Sequence, residues 1–504
     1  MRIAFTDPIN WNYKVESAYQ MPLGGSQSAL CYLAEALAKQ GHEVFLVNNT
    51  SKAGMSSGVM HFPLSTVPHQ LLRSLDALII WNTPDLGQQI KSLLDENTCL
   101  VLWAGIAYYQ PAMQVLQTPS EQDIYDGIVF VSEWQRNDFY QNFGIPPERT
   151  CLIRNAVGAP FCGLFSNDAP ILPQKSKPPV IAYTSAPDRG LDLLLEVFPK
   201  IRRAVPGTRL KVFSSMKLYQ VSEAEDESLH GLLYRKCWET EGVEYIGSRP
   251  QPDLARELQS VTVLAYANTV RETSCIAVME AMASGCWVVT SNWGGLPETT
   301  AGFARLISVE GDWEAYKDRF VEETVEVLTA CTATDPTAAE THLRRQVEYV
   351  NRQYNWSIRA QQWVEWLSSI QTKTALMPPD SAAVRSADLQ LLAYQCLIQR
   401  EYTQAATFYE QAIEACPTVM SNYWYLGLTL LLQGQEQEAQ TTWMLAMVNG
   451  ESEQVDLWTA ELVQVLQAEA ERLEKFADYQ TAELIRDYIG EITADAQLRI
   501  DDLT

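Results

Sequence analysis

The chain has 504 residues, of which 62 are Asp or Glu and 37 are Lys or Arg, so its net charge is −25. At about 150 residues per domain, this length predicts about three domains. Apolar residues make up 47% and charged residues 20%, a composition that excludes a wholly disordered chain. The negative charge argues against nucleic acid or an anionic membrane surface as a main partner, because both repel it.

The N-terminal segment lacks the long apolar run of a secretory signal peptide, since Asp7 and Pro8 interrupt it. The longest strongly apolar stretch, Cys99–Tyr109, is about half as long as the ~20 residues of a membrane-spanning helix. We therefore expect a cytoplasmic protein with no transmembrane segment. The ten cysteines contain no CxxC pair and the five histidines are scattered, so neither a metal site nor a cofactor is predicted.

Residues 1–165 alternate short apolar runs with amphipathic stretches, which is typical of a doubly wound, Rossmann-like α/β domain. The near-continuous Val, Ile, Leu and Phe content of the runs suits parallel strands that are covered on both faces. A helix is predicted over Ser26–Gln40, between the first two strands. The predicted strands are Arg2–Thr6, Glu43–Val47, Ala77–Trp81, Cys99–Trp103 and Gly127–Val131.

The alternation restarts after Phe165–Pro179, a stretch in which Ser, Asn, Pro and Lys replace the apolar pattern. Residues 166–352 are therefore predicted to form a second Rossmann-like domain. Two such domains place a cleft at the carboxyl ends of both sets of strands, where folds of this kind bind ligands. The predicted strands are Val180–Thr184, Arg209–Phe213, Val261–Ala265 and Cys286–Thr290.

A third region follows the predicted linker 373–385, and it contains an internal repeat with a period of 34 residues. Residues 386–504 are therefore predicted to be a helical domain of the tetratricopeptide type with capping helices. Such a domain suggests a protein or peptide partner, with self-association as the alternative. Tyr423, Trp424 and Tyr425 are candidates to line a groove, although their helical spacing requires that some of them are core. The matched positions are Leu392, Ala393, Cys396, Ala405, Tyr409 and Ala412, then Leu426, Gly427, Leu430, Ala439, Trp443 and Ala446.

The strongest motif for chemistry runs from Arg271 to Gly285 and carries two carboxylates, Glu272 and Glu280. Carboxylates accept hydrogen bonds from paired hydroxyls, so the two side chains are suited to the sugar and the ribose of a nucleotide-sugar. The diphosphate between them needs donors, and free amides at the start of a helix supply these. An ordinary helix with an acidic N-terminus is the alternative interpretation of this spacing.

The residues around these carboxylates refine the same prediction. We expect Thr273 or Ser274 to cap the helix, which leaves the amides from Ser274 through Cys275 to Ile276 as the anion site. The downstream glycines Gly294 and Gly295 are expected to let a loop approach the ligand closely.

Two further loops carry candidate residues for the donor. Gly24 and Gly25 precede the first predicted helix and allow close backbone approach, and Ser26 is placed to cap that helix. A tight turn without ligand contact is the alternative for these glycines. In the second domain, Arg189 follows a strand and offers a permanent positive charge to a diphosphate.

The two-domain layout, the spacing Glu272-x7-Glu280 and the downstream Gly-Gly-x-Pro-Glu resemble retaining GT-B glycosyltransferases of the family 4 type. The resemblance covers roughly residues 1–370. It implies that Glu272 contacts the hydroxyls of the donor sugar and that Glu280 binds the nucleotide ribose. It also implies a UDP- or GDP-sugar as donor, with residues 353–372 forming a helix that crosses back to the first domain.

The same resemblance assigns further residues to the donor and to the acceptor side. Gly24 and Gly25 would face the donor phosphates, and Arg189 stands at the basic position of the family's Lys-Gly. The remaining donor-side candidates are Ser185, Lys217, Ser248 and Arg249, with a solvated loop lysine as the simpler interpretation of Lys217. On the acceptor side, Tyr108, Tyr109 and Gln110 stand near the place of a His that many relatives carry, and they are able to stack on a sugar or bond to it. Hydrophobic packing explains the two tyrosines equally well.

The sequence departs from the family pattern at two other places. Ser274 and Cys275 replace the usual Phe-Gly, and Thr184 stands in place of an earlier Arg. We predict a retaining, metal-independent hexosyltransferase whose Glu272 and Arg189 are catalytic, with Arg189 and helix amides stabilising the leaving diphosphate. The acceptor is a sugar, a lipid or a protein. The alternative is a degenerate GT-B protein that acts as a tetratricopeptide scaffold, and a GT-B epimerase or phosphorylase fits the motifs less well.

Overall fold

The computed structural model describes residues 1–166, 169–309, 312–376, 382–448, 450, 452–475 and 478–501. The chain divides into two compact units, Met1–Thr372 and Lys373–Thr504. The first unit contains two Rossmann-like domains, each built on a largely parallel sheet, and the second unit is helical in its described part. The predicted fold class is therefore confirmed. Among the described helices, none combines the length and the apolarity that crossing a bilayer requires.

The first sheet has the strand order β3-β4-β2-β1-β5-β6-β7-β8. All neighbouring strands are parallel except β3, which runs antiparallel to β4 at one edge. The strands are β1 (Arg2–Asp7), β2 (Glu43–Asn48), β3 (Gly54–Ser56), β4 (Val59–Pro63), β5 (Ala77–Trp81), β6 (Cys99–Ala104), β7 (Gly127–Phe130) and β8 (Thr150–Leu152).

The second sheet is wholly parallel and has the strand order β11-β10-β9-β12-β13-β14. Crossover helices connect its strands, as parallel pairing requires. The strands are β9 (Val180–Tyr183), β10 (Arg209–Val212), β11 (Val243–Tyr245), β12 (Val263–Tyr266), β13 (Trp287–Ser291) and β14 (Arg305–Ile307).

Fourteen described helices belong wholly or mainly to the first unit. Around the first sheet lie α1 (Ser17–Gln20), α2 (Gly25–Lys39), α3 (His69–Leu72), α4 (Leu86–Lys91), α5 (Pro119–Gln122) and α6 (Glu133–Phe143). The others are α7 (Leu191–Ala204), α8 (Glu223–Glu239), α9 (Gln251–Gln259), α10 (Ile276–Ala283), α11 (Leu296–Thr300), α12 (Trp313–Thr332), α13 (Thr337–Gln353) and α14 (Trp356–Leu376).

The first sheet is buried on both faces, as its apolar strands predict. Along β1, Ile3 and Phe5 pack into one apolar cluster while Ala4 between them packs into another on the opposite face. Successive side chains of a strand point to opposite faces, so a strand covered on both sides needs an unbroken apolar run. All three residues are fully buried.

Helix α14 returns from the second sheet to the first. Its Trp363 is fully buried and stacks edge-on against Trp103 of β6, with ring centroids 5.4 Å apart. Further along, the amide of Gln371 donates to the carbonyl oxygen of Asp76, 2.9 Å away, at the start of β5. The helix therefore packs on the first sheet although it follows the second sheet in the chain.

The second unit consists of helices in its described residues: α15 (Ala382–Ile398), α16 (Tyr402–Ala415), α17 (Met420–Leu432), α18 (Glu436–Met447), α19 (Ser452–Lys475) and α20 (Tyr479–Asp501). Small residues permit close helix approach here, since a Cβ on Gly427 would lie 2.1 Å from the indole nitrogen of Trp443. Of the predicted linker 373–385, residues 377–381 lie outside the described residues, and the rest is helical. The tetratricopeptide assignment stays a prediction.

The helical spacing predicts that some of Tyr423, Trp424 and Tyr425 are core, and the structure confirms this for Trp424; the groove itself stays a prediction. Trp424 is buried, and Tyr425 stacks on Tyr409 with the ring planes 10° apart. The hydroxyl of Tyr423 donates to the carbonyl oxygen of Pro417. Helical spacing turns these consecutive aromatic residues to different sides of α17, so they do not share one face.

Candidate active site

A cleft of about 390 Å³ lies between the two sheets of the first unit. Its walls are loops that follow the carboxyl ends of strands in both sheets, which is where doubly wound sheets bind ligands. Most of the residues that the sequence singles out line it: Gly24, Gly25, Tyr109, Gln110, Ser185, Arg189, Ser248, Arg249, Glu272, Thr273, Ser274, Cys275, Ile276 and Glu280.

Glu272 is the centre of a small network of charged and polar groups. Its Oε1 accepts a hydrogen bond from Nη1 of Arg189 at 2.9 Å and a second from the hydroxyl of Tyr266 at 2.5 Å. The carboxylate is 9% exposed and the Arg189 side chain is 34% exposed. The two residues predicted to be catalytic therefore form an ion pair on the wall of the cleft.

Gly190 fixes the loop that carries Arg189. Its φ angle is +106°, and a Cβ there would lie 2.0 Å from the carbonyl oxygen of Ala267. Only glycine fits a left-handed position with backbone at that distance. The Arg189 turn and the end of β12 are thereby packed directly against each other.

Gly294 and Gly295 closely approach the backbone of the Glu272 loop, and their predicted approach to a ligand stays a prediction. The amide of Gly295 donates to the carbonyl oxygen of Glu272 at 2.6 Å, and a Cβ on Gly294 would lie 2.4 Å from that oxygen. A Cβ on Gly295 would lie 2.3 Å from the carbonyl oxygen of Thr273. The glycine pair supports the loop that presents Glu272.

The helix after this loop begins differently from the prediction. Cys275 precedes the first residue of α10, and neither Thr273 nor Ser274 caps it. The Thr273 hydroxyl instead donates to the carbonyl oxygen of Gly105 in the first sheet domain, 2.8 Å away. The first free amides of α10 are thus at and after Ile276, and burial raises the pKa of the Cys275 thiol at this end.

The predicted cap of α2 is also wrong, since α2 begins at Gly25 and Ser26 lies inside it. Gly24 and Gly25 do line the cleft, and both face side chains across it. A Cβ on Gly24 would lie 3.2 Å from the ring of Tyr219, and a Cβ on Gly25 would lie 3.6 Å from Ile276. Glycines at these two positions keep the cleft open between the two halves.

Glu280 is 3% exposed, and burial raises its pKa to about 8 although a hydrogen bond from the Gln251 amide opposes the shift. This hydrogen bond favours the charged form of Glu280, to which the Gln251 amide donates, but burial outweighs it. Both side chains line the cleft. Near neutral pH, Glu280 therefore holds its proton.

Several buried polar atoms on the cleft wall have no hydrogen-bond partner within the described part of the chain. Each buried polar atom without a partner costs free energy, so these atoms are available to accept or donate hydrogen bonds to water or to a ligand in the cleft. The lining atoms of this kind are Oε1 of Glu280, Oε1 of Gln251, Oγ1 of Thr184, Oδ1 of Asn155 and Nε1 of Trp81.

Two of the predicted site residues do not line the cleft. Lys217 lies in a short turn, where its Nζ is 3.5 Å from Oε1 of Glu223 and its side chain is 53% exposed. Its placement therefore fits a solvated loop lysine outside the cleft. Tyr108 packs edge-on against Phe143. Its neighbour Tyr109 does face the cleft and is 42% exposed.

The serines of the donor-side loops differ in their bonding. The hydroxyls of Ser248 and Ser215 lie 2.7 Å apart, so Ser248 ties two loops of the second sheet together. The hydroxyl of Ser185 lies 3.5 Å from that of Tyr266. Arg249 lines the cleft beside them.

Further side-chain contacts join the halves of the unit near the cleft. Arg154, which follows β8, donates through Nε to Oε1 of Glu298 in α11 at 2.8 Å. The ring of Trp11 lies 6.0 Å from that of Tyr219, measured between centroids. Both contacts join the first sheet domain to the second.

Tyr219, Gln251 and Tyr266 are site residues that the sequence interpretation missed. Each stands in a segment without a motif, and Tyr266 continues an ordinary apolar strand. Their positions depend on how distant loops come together in the fold. Among the described residues, no group of three or more His, Cys, Asp or Glu side chains is arranged to hold a metal ion.

Two parallel sheets facing each other across a ligand cleft, with a helix returning to the first sheet, define the GT-B architecture. Sucrose-phosphate synthase from Thermosynechococcus elongatus superposes with a TM-score of 0.54 at 16% identity, covering 74% of this chain and 100% of that one. The Anabaena protein HepE in complex with UDP-glucose superposes with a TM-score of 0.51 at 16% identity, covering 73% and 100%. These likenesses show the fold.

Sequence comparisons point to one family within this architecture. Residues 178–323 match the family of glycosyl transferases group 1. A phosphatidylinositol N-acetylglucosaminyltransferase subunit from Arabidopsis thaliana is 27% identical over 318 residues, which cover 55% of this chain and 66% of the relative. The matched region thus spans just under two thirds of that relative. Together the comparisons show the GT-B fold and a likeness of residues 178–323 to glycosyl transferases group 1.

Proposed function

We propose that the first unit is a retaining glycosyltransferase that transfers a hexose from a nucleotide-sugar to an acceptor without a metal ion. The observation that carries this proposal is the cleft itself, which brings Glu272, Glu280 and Arg189 together beside unpartnered polar atoms. A nucleotide-sugar supplies hydroxyls for the carboxyl groups and a diphosphate for the guanidinium.

Each group in the cleft has a definite role in this proposal. Glu280 and Gln251 bind the ribose, and the amides at the start of α10 and Arg189 take the charge of the leaving diphosphate. Glu272 binds the donor sugar. Contacts such as Thr273 to Gly105 keep the two halves closed, which excludes water from the reacting centre.

The donor and acceptor classes follow from the same site and from the relatives' names. UDP-glucose and UDP-N-acetylglucosamine are the first donors to test, with GDP- and ADP-sugars beside them. Phosphatidylinositol is the first lipid acceptor to test, because the Arabidopsis relative is named for it. Sugar and protein acceptors complete the set.

Titration calorimetry of the full chain with each donor tests the proposal. We expect one preferred donor, and we expect Arg189→Ala and Glu280→Ala each to weaken its binding at least tenfold, since each removes a charged or buried hydrogen-bonding group. Lys217→Ala is the matched control, because this lysine lies outside the cleft, and it should leave the affinity unchanged. Absence of donor binding by folded protein would favour the scaffold alternative.

For the helical unit we propose a role in binding a partner segment that is both apolar and basic. A cavity of about 440 Å³ lies among α18, α19 and α20, lined by Trp443, Met447, Leu462 and Tyr488. Met444 and Val448 at its edge are 69% and 70% exposed. Methionine-rich grooves adapt to the apolar face of a helix.

The negative charge of the helical unit favours a basic partner. Residues 373–504 hold 21 Asp and Glu against seven Lys and Arg, and the lining includes Asp456 and Glu491. A Leu/Lys amphipathic helical peptide should therefore bind the full chain more tightly than its Leu/Glu counterpart. Met444→Gln should weaken this binding, and Met55→Gln, at a site that is 67% exposed in the first unit, should not. Equal binding of both peptides, or self-association through Met444, would contradict this role.

A further inference from the structure

Tyr266 is a buried tyrosine whose hydroxyl contacts a residue of the cleft although its ring does not line it. It ends β12, is 1% exposed, and donates to Oε1 of Glu272 at 2.5 Å. Its own neighbour on the adjacent strand is Tyr183, with ring centroids 6.0 Å apart. The phenol is therefore fixed in the core and delivers one hydrogen bond to the carboxylate.

Oε1 of Glu272 accepts two hydrogen bonds, and the two donor side chains differ in how exposed they are. Nη1 of Arg189 lies 2.9 Å away, but this side chain is one third exposed and faces the cleft. The Tyr266 hydroxyl is buried behind the carboxylate. Neither contact uses Oε2, so this oxygen is the one left to accept from a ligand.

The difference matters once a diphosphate enters the cleft. A guanidinium binds phosphate oxygens with two parallel hydrogen bonds, and this geometry competes with its single bond to Glu272. When Arg189 turns to the phosphates, Tyr266 is the donor that still orients the carboxylate. The backbone of Glu272 is held independently by the amide of Gly295.

We propose that Tyr266 is a positioning residue that holds Glu272 with Oε2 directed at the donor sugar while Arg189 engages the diphosphate. This inference rests on the proposed function. Its consequence is specific: the tyrosine hydroxyl governs recognition of the glycosyl part of the donor and leaves recognition of the nucleotide unchanged.

Tyr266→Phe in the full chain tests this, because it removes the hydroxyl and keeps the ring in the core. The measurement is the affinity for UDP and for the preferred UDP-sugar, together with the kcat and KM for that sugar donor. We expect the affinity for UDP to change less than twofold. The affinity or the kcat for the UDP-sugar should fall about tenfold, the typical effect of losing a hydrogen bond to a charged group.

Two further variants separate positioning from a general loss of structure. Tyr125→Phe removes another buried hydroxyl, one that donates to the carbonyl oxygen of Pro84 away from the cleft, and should alter neither affinity. In a Glu272→Gln background, Tyr266→Phe should add no further loss of sugar recognition, because the two residues act as one unit.

The outcomes are distinguishable. Equal losses for UDP and for the UDP-sugar, or additive losses in the double variant, would overturn the role of Tyr266 while leaving the proposed function in place. A wild-type protein that binds no nucleotide-sugar would overturn both. Loss confined to the sugar donor and absent in the Glu272→Gln background supports the inference.

Discussion

Glu280 is deeply buried and also lies on the wall of the cleft. Burial disfavours the charged form, so the pKa of this carboxyl rises from 4.5 to about 8. Its Oε1 has no hydrogen-bond partner among the described residues. Such a group lowers the stability of the folded chain and is retained where a ligand uses it.

The raised pKa of Glu280 predicts a pH-dependent stability. The unfolded chain releases this proton near pH 4.5, whereas the folded chain keeps it up to about pH 8. The unfolded state therefore binds fewer protons across this window, and the contribution of Glu280 to stability falls as the pH rises through it. Above about pH 8 the loss is complete.

Glu280→Gln should remove this dependence. We expect its free energy of unfolding to match that of the wild type near pH 5 and to exceed it by on the order of 3 kcal/mol near pH 7.5. Denaturant titrations at the two pH values measure the difference. A gap of the same size at both values would show that Glu280 does not titrate in this way.

The sequence identified the charged residues of the cleft but not the groups that orient them. Glu272 and Glu280 stand in a recognisable spacing, whereas Tyr266 and Gln251 reach them only through the packing of β12 and α9. The predicted caps at Ser26 and at Thr273 or Ser274 were wrong, and the backbone that Gly294 meets was not predicted, for one reason. A sequence shows that a residue permits a cap or a close approach, but not which backbone it meets.

Helix α14 is the element that connects the end of the first unit to its beginning. Trp363 packs on Trp103, and Trp103 in turn contacts Trp81, whose ring centroid is 4.2 Å away. Trp81 lines the cleft. A continuous row of indole rings thus runs from the helix to the candidate active site.

Trp363→Ala should destabilise the protein by about 3–5 kcal/mol, because it leaves a large cavity in a fully buried position. Trp238→Ala is the control: its indole is 61% exposed and contacts Tyr245 only at the edge, so the cost should stay below about 1 kcal/mol. Chemical denaturation of both variants measures this. Similar losses for the two would contradict the packing of α14.

Apolar pattern was sufficient for the long strands and insufficient for the short ones. The predicted strand Ala77–Trp81 matches β5, and the other predicted strands lie within two residues of the observed ones. No strand with stated bounds was predicted for β3, β4, β8, β11 or β14. Most of these strands have only three residues, and β4 contains His61 and Pro63, so they have no apolar run from which a strand could be predicted.

At the scale of the whole first unit, the two halves are joined by the chain and by side chains around the cleft. Oε1 of Glu298 accepts a hydrogen bond from Nε of Arg154 at 2.8 Å. Its Oε2 accepts one from the backbone amide of Trp134 at 3.3 Å. Both donors come from the first sheet domain and the acceptor from the second. Domain contacts of this type set how far a cleft opens.

Arg154→Ala should loosen the closed arrangement. The ion pair is partly exposed, with the Arg154 side chain 40% accessible, so we expect a modest two- to fivefold loss of donor affinity. Faster amide hydrogen exchange at residues 104–109 and 271–276 should accompany it. Lys200→Ala removes an exposed ion pair with Asp318 inside the second half and should change neither. Unchanged exchange in Arg154→Ala would contradict a clamping role.

The glycines of the cleft loops also decide how the protein tolerates random change. At Gly190, Gly294 and Gly295 the space of a Cβ is taken by backbone within 2.4 Å, whereas around Gly247 nothing lies within 4 Å. In a library that replaces each glycine by alanine, the first three positions should be depleted together and Gly247 should survive more often. The loops that carry Arg189 and Glu272 therefore tolerate only glycine at these three positions.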